Sequence, residues 1–439
     1  MQPFVGIWAA VPHTAEAVGV DGRLRECPDC GLIQRLPPLP RGSAAHCSRC
    51  NAVLRRRRVD PVGRSLALAI TGLLLFALAF SLPFMDVEVG GRDRVTTMLT
   101  GPYELEQQGV WELGIAVLVT TLFAPLARLG ALTYVLLGMR LRHPPRHLFT
   151  VFRWIEWVSP WSMIEVFLLG VFVAYTRLVA IAHVQVGGAV FALGALMMAM
   201  AAADSVLDHE AVWEGLERRG VVAGHAPGHG SGRLAGCDSC GLVSRATLAC
   251  PRCGARVRPR KADSIRRARA LLAAAAALYL PANILPVMTV VHFGRSDPNT
   301  ILSGVEELGS AGMWPLAALV FFASITVPVL KLVGLTTLLV STRLGARTRV
   351  RERTLLYRIV DSVGRWSMID VFMISILTAL VRMGAIASVY PGVGAVAFCG
   401  VVILTMLASQ SFDPRLIWDA AGRNDTGPTN QMSGDERRH

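Results

Sequence analysis

The sequence predicts an all-α polytopic membrane protein made of two tandem four-helix modules, with eight membrane spans in total. Three observations support this fold class. Of the 439 residues, 53% are hydrophobic and only 17% are charged. Apolar runs long enough to cross a bilayer occur in both halves of the chain, and the two halves repeat each other. A composition this apolar excludes an ordinary soluble enzyme.

A heptapeptide that occurs twice makes the repeat evident. Its copies begin at Trp161 (WSMIEVF) and at Trp366 (WSMIDVF), and the same relation connects Trp111 with Trp314. The expected spans are residues 65–84, 109–138, 158–183 and 186–207 in the first half, and 268–290, 311–340, 363–388 and 392–412 in the second. Because four is even, both halves enter the membrane in the same direction.

Eight of the nine cysteines form CxxC pairs, and two such pairs precede each block of spans. Two CxxC turns joined by a hairpin place four thiolates tetrahedrally around one metal ion, as in zinc ribbons. The sequence therefore predicts two structural Zn²⁺ ions, one held by Cys27, Cys30, Cys47 and Cys50, and one by Cys237, Cys240, Cys250 and Cys253. A redox-active CxxC is the alternative, but the chain shows no thioredoxin-like βαβ pattern around these cysteines.

The loop charges predict the orientation. The loop 139–153 has four arginines and no acidic residue, whereas the polar stretch 85–108 has an excess of acidic residues. By the positive-inside rule, both ribbons and both termini are cytosolic. The net charge of +13 then reflects topology, and no nucleic-acid partner is expected.

These features divide the chain into seven segments. They are an N-terminal tail (1–25), zinc ribbon 1 (26–58), transmembrane module 1 (62–208), a linker (209–235), zinc ribbon 2 (236–260), transmembrane module 2 (264–413) and a cytosolic tail (414–439). Residues 208–236 are polar and Gly/His-rich, which is typical of a flexible linker.

Each module contains one cation and one carboxylate within its apolar runs, and such groups are costly in a bilayer. Arg128 and Lys331 lie on the second spans, and Glu165 and Asp370 lie on the third. Helices joined by a short loop pack antiparallel, so we expect the pairs Arg128–Glu165 and Lys331–Asp370. Either the pairs only fix helix packing, or they line a polar cavity for a head group or a proton.

Further polar residues extend these pairs. Ser162, Ser324, Ser367 and Thr405 could join the network, and Pro125 and Pro328 predict irregular helices beside it. Arg177 and Arg382 are expected near the outer interface, where snorkelling explains them.

Ribbons of the CPDCG/CDSCG type, each followed by four spans with LPF or LPV and WSMI(E/D)VF, resemble the paraquat-inducible protein A family. The resemblance covers residues 25–420 and extends to the inner-membrane A subunits of MCE-associated lipid transport systems. It implies tetraspanin-like modules in the bacterial inner membrane and a polar network to which Lys331, Ser367 and Asp370 correspond. Arg128 and Glu165 depart from that pattern in the first module.

The resemblance also implies a function. A subunit of this kind loads or unloads phospholipid between the inner membrane and a periplasmic MCE-domain tunnel protein, and thereby supports envelope integrity. It is not an enzyme, and the chain has no GxxxxGK[ST] nucleotide-binding loop. The alternative is a zinc-stabilised membrane adaptor or stress-response scaffold without a transport site of its own. A membrane redox enzyme is disfavoured, because the spans offer only Cys399 and His183.

Overall fold

The computed structural model describes residues 23–89, 92–179, 183–223, 234–245, 249–292, 295–381 and 387–422. The chain is mostly helical, and the same series of elements occurs in both halves. The predicted N-terminal tail lies outside the described residues up to residue 22, and its last three residues belong to the first strand.

Each half begins with short strands of a cysteine-rich ribbon and continues into long apolar helices. The first half contains β1 (Arg23–Glu26), β2 (Ile33–Leu36), β3 (Ala44–His46), β4 (Val53–Arg56), α1 (Pro61–Ser81), β5 (Met85–Val89), β6 (Arg92–Thr96), α2 (Thr100–Gln107), α3 (Trp111–Leu118), α4 (Ala124–Gly138), α5 (Leu148–Val158), α6 (Ile164–Val179), β7 (His183–Val186), α7 (Gly188–Val206) and α8 (His209–Arg218). The second half contains β8 (Leu234–Gly236), β9 (Val243–Arg245), α9 (Ser264–Ile284), β10 (Met288–His292), β11 (Arg295–Asn299), α10 (Ile301–Ser310), α11 (Trp314–Phe321), α12 (Val327–Arg343), α13 (Val350–Val363), α14 (Ile369–Leu380), β12 (Ala387–Pro391), α15 (Val393–Ser411) and α16 (Arg415–Ala420).

Seven helical segments of the described chain are long and apolar enough to cross a membrane. They are Pro61–Ser81, Trp111–Gly138, Leu148–Thr176, Gly188–Val206, Trp314–Arg343, Val350–Leu380 and Val393–Ser411. The first span expected in the second half corresponds to α9, whose first turns carry Arg266, Arg267 and Arg269 and are therefore less apolar. In its packing α9 is equivalent to a span, since it lies along α15 as α1 lies along α7. An eighth span nevertheless stays a prediction.

The second span of each half contains a π-helical turn, Val119–Phe123 in one and Phe322–Thr326 in the other. Each turn lies directly before Pro125 or Pro328, as expected where proline cannot donate to the preceding turn. In the first half, the carbonyl of Thr120 accepts a hydrogen bond from the backbone N–H of Met163 at 3.5 Å. The irregular turn therefore connects the second span to the heptapeptide.

The heptapeptides lie where the third span of each half is interrupted. A 3₁₀ turn, Ser159–Trp161, separates α5 from α6, and another, Gly364–Met368, joins α13 to α14. Glu165 and Asp370 are consequently each the second residue of a new helix. A carboxylate there benefits from the helix dipole, which lowers the cost of placing it among apolar residues.

The all-α prediction is wrong at the end of each bundle that lies away from the ribbons. There β5, β6 and β7 form a three-stranded antiparallel sheet in the order β6-β5-β7, and the second half repeats it as β11-β10-β12. Met85 aligns with Thr96 on one side and with Val186 on the other. The third strand comes from a distant part of the chain, so local sequence patterns do not show the pairing.

The two halves join through α14, in which every residue is buried. This helix packs against α2, α3 and α6 of the first half. The rings of Phe167 and Phe372 meet edge to face with centroids 5.6 Å apart. Gly170 permits the close approach, since a Cβ there would lie 2.9 Å from the Cβ of Phe372.

The segments predicted to be a linker and a cytosolic tail both begin with packed helices. The predicted linker 209–235 starts with α8, which Asp208 caps by accepting hydrogen bonds from the N–H groups of Glu210 and Ala211. The predicted tail 414–439 starts with α16. Trp213 on α8 and Trp418 on α16 are both almost completely buried. Burial of apolar faces explains why these short helices form.

Candidate functional site

Each ribbon brings its four cysteines together. The sulfur atoms of Cys27, Cys30, Cys47 and Cys50 lie within 4.8 Å of one another, and so do those of the second ribbon's set, Cys237, Cys240, Cys250 and Cys253. All eight side chains are buried, and the nearest sulfur pairs are 3.4–3.6 Å apart. This spacing is too long for disulfides and fits four thiolates around one ion.

The backbone shapes these thiolate sites. In the first ribbon the carbonyl of Cys27 accepts from the N–H of Gly31, and that of Cys47 accepts from Asn51, both at 2.9 Å. Gly31 and Asn51 have φ values of 69° and 59°, in the left-handed region that closes such tight turns. The second ribbon repeats the arrangement at Gly241 and Gly254.

The first ribbon docks on the second half of the chain. Asp29 forms an ion pair with Arg358 of α13 at 2.6 Å. The guanidinium of Arg49 lies 5.5 Å from the ring centroid of Trp418 on α16. Ribbon 1 also contacts the first half, where Arg55 binds Glu214 of α8.

The second ribbon makes the corresponding contact with the first half. The guanidinium of Arg252 lies 5.6 Å from the ring centroid of Trp213 on α8, and it binds Glu217 at 2.7 Å. Arg49 and Arg252 occupy equivalent positions in the repeat, as do Trp418 and Trp213. The ribbons are therefore crossed, because each places its arginine on the terminal helix of the other half.

Glu26 connects the two ribbons to the second bundle. Its carboxylate accepts a short hydrogen bond from the backbone N–H of Gly236 and contacts Arg260 at 3.4 Å and Arg415 at 3.3 Å. Burial raises the pKa of Glu26, because desolvation outweighs the opposing effects of Gly236 and the two arginines. Arg260 in turn binds Asp419 through two nitrogens at 2.6 and 2.8 Å.

The buried cation of the second bundle is Lys331, whose side chain on α12 is only 1% exposed. Its Nζ donates to the carbonyl of Gly364 at 3.1 Å and to Oγ1 of Thr405 at 2.8 Å. The carboxylate of Asp361, on α13, contributes a favourable electrostatic interaction with the Lys331 ammonium group. Its hydrogen bonds therefore go to a carbonyl and a hydroxyl, where the sequence predicted the carboxylate of Asp370.

Asp370 lies beside this site at the start of α14. It lines a small, mostly apolar cavity of about 20 Å³ together with Met288, Thr300 and Met373. That volume is room for about one water molecule. A larger polar ligand could enter only if the helices around the cavity moved apart.

Each heptapeptide also contributes one buried hydroxyl that lacks a hydrogen-bond partner among the described residues. These hydroxyls belong to Ser162 and Ser367, which are equivalent in the repeat. A buried hydroxyl without a partner costs about 1–3 kcal/mol. A water or ligand group at these positions would remove that cost.

The cation of the first bundle, Arg128, has a different kind of partner from Lys331. Arg128 forms an ion pair with Asp204 of α7 rather than with Glu165 as predicted. Glu165 is exposed on the bundle surface at the start of α6. The residue equivalent to Asp204 in the second half is Ser409, which donates to Asp361 at 3.2 Å.

Comparison with known proteins decides the family. A model of the family described as "Paraquat-inducible protein A" matches residues 62–217 and again 265–422. The chain is 36% identical to the intermembrane transport protein PqiA of Escherichia coli K12, over 90% of this chain and 95% of that protein. The chain belongs to the paraquat-inducible protein A family.

Two further relatives cover nearly the same length. The lipophilic envelope-spanning tunnel protein A of Escherichia coli K12 is 32% identical over 93% of this chain and 94% of that protein. A probable intermembrane transport protein of Haemophilus influenzae is 24% identical over 90% and 96%. No solved structure matches. The double match confirms the tandem repeat of the paraquat-inducible protein A unit.

In this family member, the polar residues predicted for the second half are all buried, and one pair of them is hydrogen-bonded. Lys331 and Thr405 are hydrogen-bonded, and Ser324, Ser367 and Asp370 are buried on adjoining turns of the second and third spans. Ser324 donates to a carbonyl of its own helix. The side chain of Arg177 and all of Arg382 lie outside the described residues.

The structure adds Asp204, Asp361 and Gly364 to the residues predicted from the sequence. Asp204 had a visible signal, since it is the one carboxylate in its apolar run. Gly364 had none, because a lysine binding a backbone carbonyl needs no particular side chain. A Cβ at Gly364 would lie 3.2 Å from Cε of Lys331, so a small residue is needed there.

Proposed function

We propose that this protein is the inner-membrane subunit of an MCE-type envelope lipid transport system. It would load or unload phospholipid between the inner membrane and a periplasmic tunnel protein, and so support envelope integrity. The observation that carries the proposal is the buried Lys331, whose hydrogen bonds within an apolar bundle go to a carbonyl and a hydroxyl. The names of the relatives, which refer to intermembrane transport and to an envelope-spanning tunnel, support the same class of function.

The chemistry of a phospholipid head group suits this site. An ammonium group buried among apolar residues is stabilised by an anion more than by a carbonyl or a hydroxyl. When the bundle opens, Lys331 would bind the phosphate, and the hydroxyl of Ser367 would donate to one of its oxygens. Asp370, Ser324 and Thr405 complete the polar lining, while the acyl chains stay against apolar helices.

We further propose eight spans in two tetraspanin-like modules, with both ribbons and both termini in the cytosol. The arginine-rich loop 139–153 supports this orientation, because it lies at the ribbon end of the first bundle. The domain boundaries predicted from the sequence are kept, except that α8 and α16 replace the beginnings of the linker and the tail. Arg177 and Arg382 would then lie near the periplasmic interface.

The metal proposed for each ribbon is Zn²⁺. Four thiolates in a closed, buried set favour zinc or an iron–sulfur centre, and a structural role suits zinc. A reducing cytosol would keep the cysteines available as thiolates. Elemental analysis of the purified protein should give two zinc atoms per chain.

Photo-crosslinking tests the transport site directly. A photoreactive amino acid at Ser367 should crosslink phospholipid in cells, and mass spectrometry would identify the adduct. Lys331→Met should reduce the lipid adduct, whereas the repeat-equivalent Arg128→Met should leave it largely unchanged. If the probe at Ser367 labels only neighbouring helices, the buried charges are packing devices and the adaptor or scaffold alternative is favoured.

A further inference from the structure

A basic cleft lies where the first ribbon meets the first bundle. It has a volume of about 400 Å³ and is lined by Arg41 of ribbon 1, by Arg57 and Arg58 before α1, and by Arg218 of α8. Arg55 completes a set of five arginines, against three carboxylates. The cleft therefore carries a net positive charge at the end of the bundle nearest the ribbons.

The carboxylates of the cleft are already engaged. Asp60 accepts from the N–H of Gly63 at 3.2 Å and so caps α1. Asp208 caps α8 in the same way, and Glu214 binds Arg55 at 2.8 Å. Within the described residues, Arg55 is the one arginine of the cleft that forms an ion pair with these carboxylates.

The equivalent arginines in the repeat show the difference most clearly. Arg57 corresponds to Arg260, and Arg58 corresponds to Lys261. In each half the two cations come three and two residues before an aspartate in the left-handed conformation, directly before a helix. In the second half both cations are bound within the chain. Arg260 binds the carboxylate of Asp419, and Lys261 donates to the carbonyl of Gln410 at 2.8 Å.

In the first half neither cation binds a carboxylate among the described residues. Arg57 donates to the carbonyl of Leu39 at 2.6 Å, and Arg58 has no hydrogen bond or ion pair within the part of the chain that the structure describes. The repeat therefore gives Arg260 a carboxylate partner, whereas Arg57 and Arg58 have none among the described residues. An anion would supply the missing partner.

The apolar part of the lining indicates which anion fits. Val59, Pro61 and Val62 lie beside the arginines, and α1 begins at Pro61 as a membrane-spanning helix. The fourth span, α7, ends close by at Val206. Phosphate groups set at the surface of an apolar layer are the head groups of lipids, and arginine binds phosphate through paired N–H groups.

We propose that this cleft binds the phosphate of an anionic phospholipid in the leaflet on the ribbon side. The site would fix ribbon 1 against the membrane surface beside α1 and α8. It is distinct from the proposed transport site, and its test does not depend on lipid reaching Lys331.

The test uses full-length protein in phosphatidylcholine bilayers that contain photoreactive phosphatidylglycerol. Crosslinks to residues 57–62 would be quantified by peptide mass spectrometry in the wild type, in Arg58→Gln and in the matched control Arg56→Gln. Arg56 is exposed and does not line the cleft. One arginine near an anionic surface contributes roughly a fivefold change in binding, so Arg58→Gln should lower the crosslinking about fivefold, with Arg56→Gln within about twofold of wild type.

Two results would overturn the proposal. Equal losses in the two variants would mean diffuse attraction to an anionic surface. Loss of the wild-type crosslink on adding inorganic phosphate or glycerol phosphate would mean that a soluble anion occupies the cleft. If Arg58→Gln fails to fold, Arg41→Gln, on an exposed turn of the ribbon, carries the same expectation and the same control.

Discussion

Replacing Cys47 by Ser in ribbon 1 is expected to loosen α13, which follows the metal site by some three hundred residues in sequence. Ribbons of this kind fold on binding their metal, so loss of one thiolate should unfold ribbon 1. The unfolded ribbon would release three contacts to α13. They are the Asp29–Arg358 ion pair, a bond from Arg358 to the carbonyl of Cys50 at 3.2 Å and a bond from Arg351 to the carbonyl of Arg49 at 2.9 Å.

The size of the effect follows from these contacts. A partly exposed ion pair is worth up to about 1 kcal/mol, and each hydrogen bond about 0.5–1.5 kcal/mol. Because such contributions overlap, we take the total as about 2 kcal/mol, or roughly a 30-fold change in the local opening equilibrium. Amide hydrogen exchange in the residues of α13 should accelerate by about that factor.

The matched control is Cys250→Ser, at the equivalent position in ribbon 2. That variant should accelerate exchange in α8, where Arg252 binds Trp213 and Glu217, and should leave α13 nearly as protected as in the wild type. The reasoning fails if Cys47→Ser leaves α13 protected. It also fails if the two variants loosen α13 equally, since crossed docking requires different targets.

Three other changes test individual contacts by thermal unfolding of the purified protein. Thr405→Val removes a hydroxyl that accepts from the buried lysine and should cost about 1.5–3 kcal/mol, whereas Thr336→Val, whose hydroxyl bonds only its own helix, should cost much less. Burial opposes the ionisation of Asp413, but the ion pair with the buried Arg415 outweighs this effect and holds the pKa of Asp413 below its usual value. Its stabilisation is therefore present above the ordinary pKa and is lost as the pH falls through the lowered one, so Asp413→Asn should remove that acid-side loss. Asp204→Asn leaves Arg128 without its carboxylate and should destabilise by up to about 1 kcal/mol, whereas no loss is expected if Glu165, the partner predicted from the sequence, were the true one.

The parts of the fold that local sequence patterns encode could be predicted. The spacing of Cys27, Cys30, Cys47 and Cys50 fixes a metal-binding knuckle, because the ligands lie close along the chain. Long uncharged runs identified the seven segments that are long and apolar enough to cross a membrane, and the repeated heptapeptide identified the two halves. Pro125 predicted an irregular second span, which the structure shows as a wide helical turn.

Features that depend on distant contacts could not be predicted in this way. The strand β7 joins its sheet across most of the first bundle, and the crossed docking of the ribbons needs surfaces from opposite ends of the chain. The helix α8 did have a local signal, since Val212, Trp213 and Leu216 form one apolar face. The glycine and histidine content of the following residues hid that signal.

The pairing of Arg128 was predicted wrongly because the sequence offers two carboxylates near it. The antiparallel neighbour rule favoured Glu165, on the next span. The structure places Asp204 of the fourth span against Arg128 instead, and a long guanidinium side chain can reach sideways across a helix interface. Sequence spacing gives the depth of a charge in the bundle, but not the direction in which its side chain points.

The difference between the two cations bears on which half acts. In the first half, Arg128 is neutralised by a carboxylate, so its charge is already balanced. In the second half a serine replaces that carboxylate, and Lys331 turns inward to Gly364 and Thr405. A balanced ion pair favours one fixed arrangement, whereas a buried ammonium whose hydrogen-bond partners are a carbonyl and a hydroxyl is stabilised further by an anion that reaches it. Helix α14 packs against α2, α3 and α6 of the first half. We infer that the first half would stay fixed while the second half opens to admit an anion.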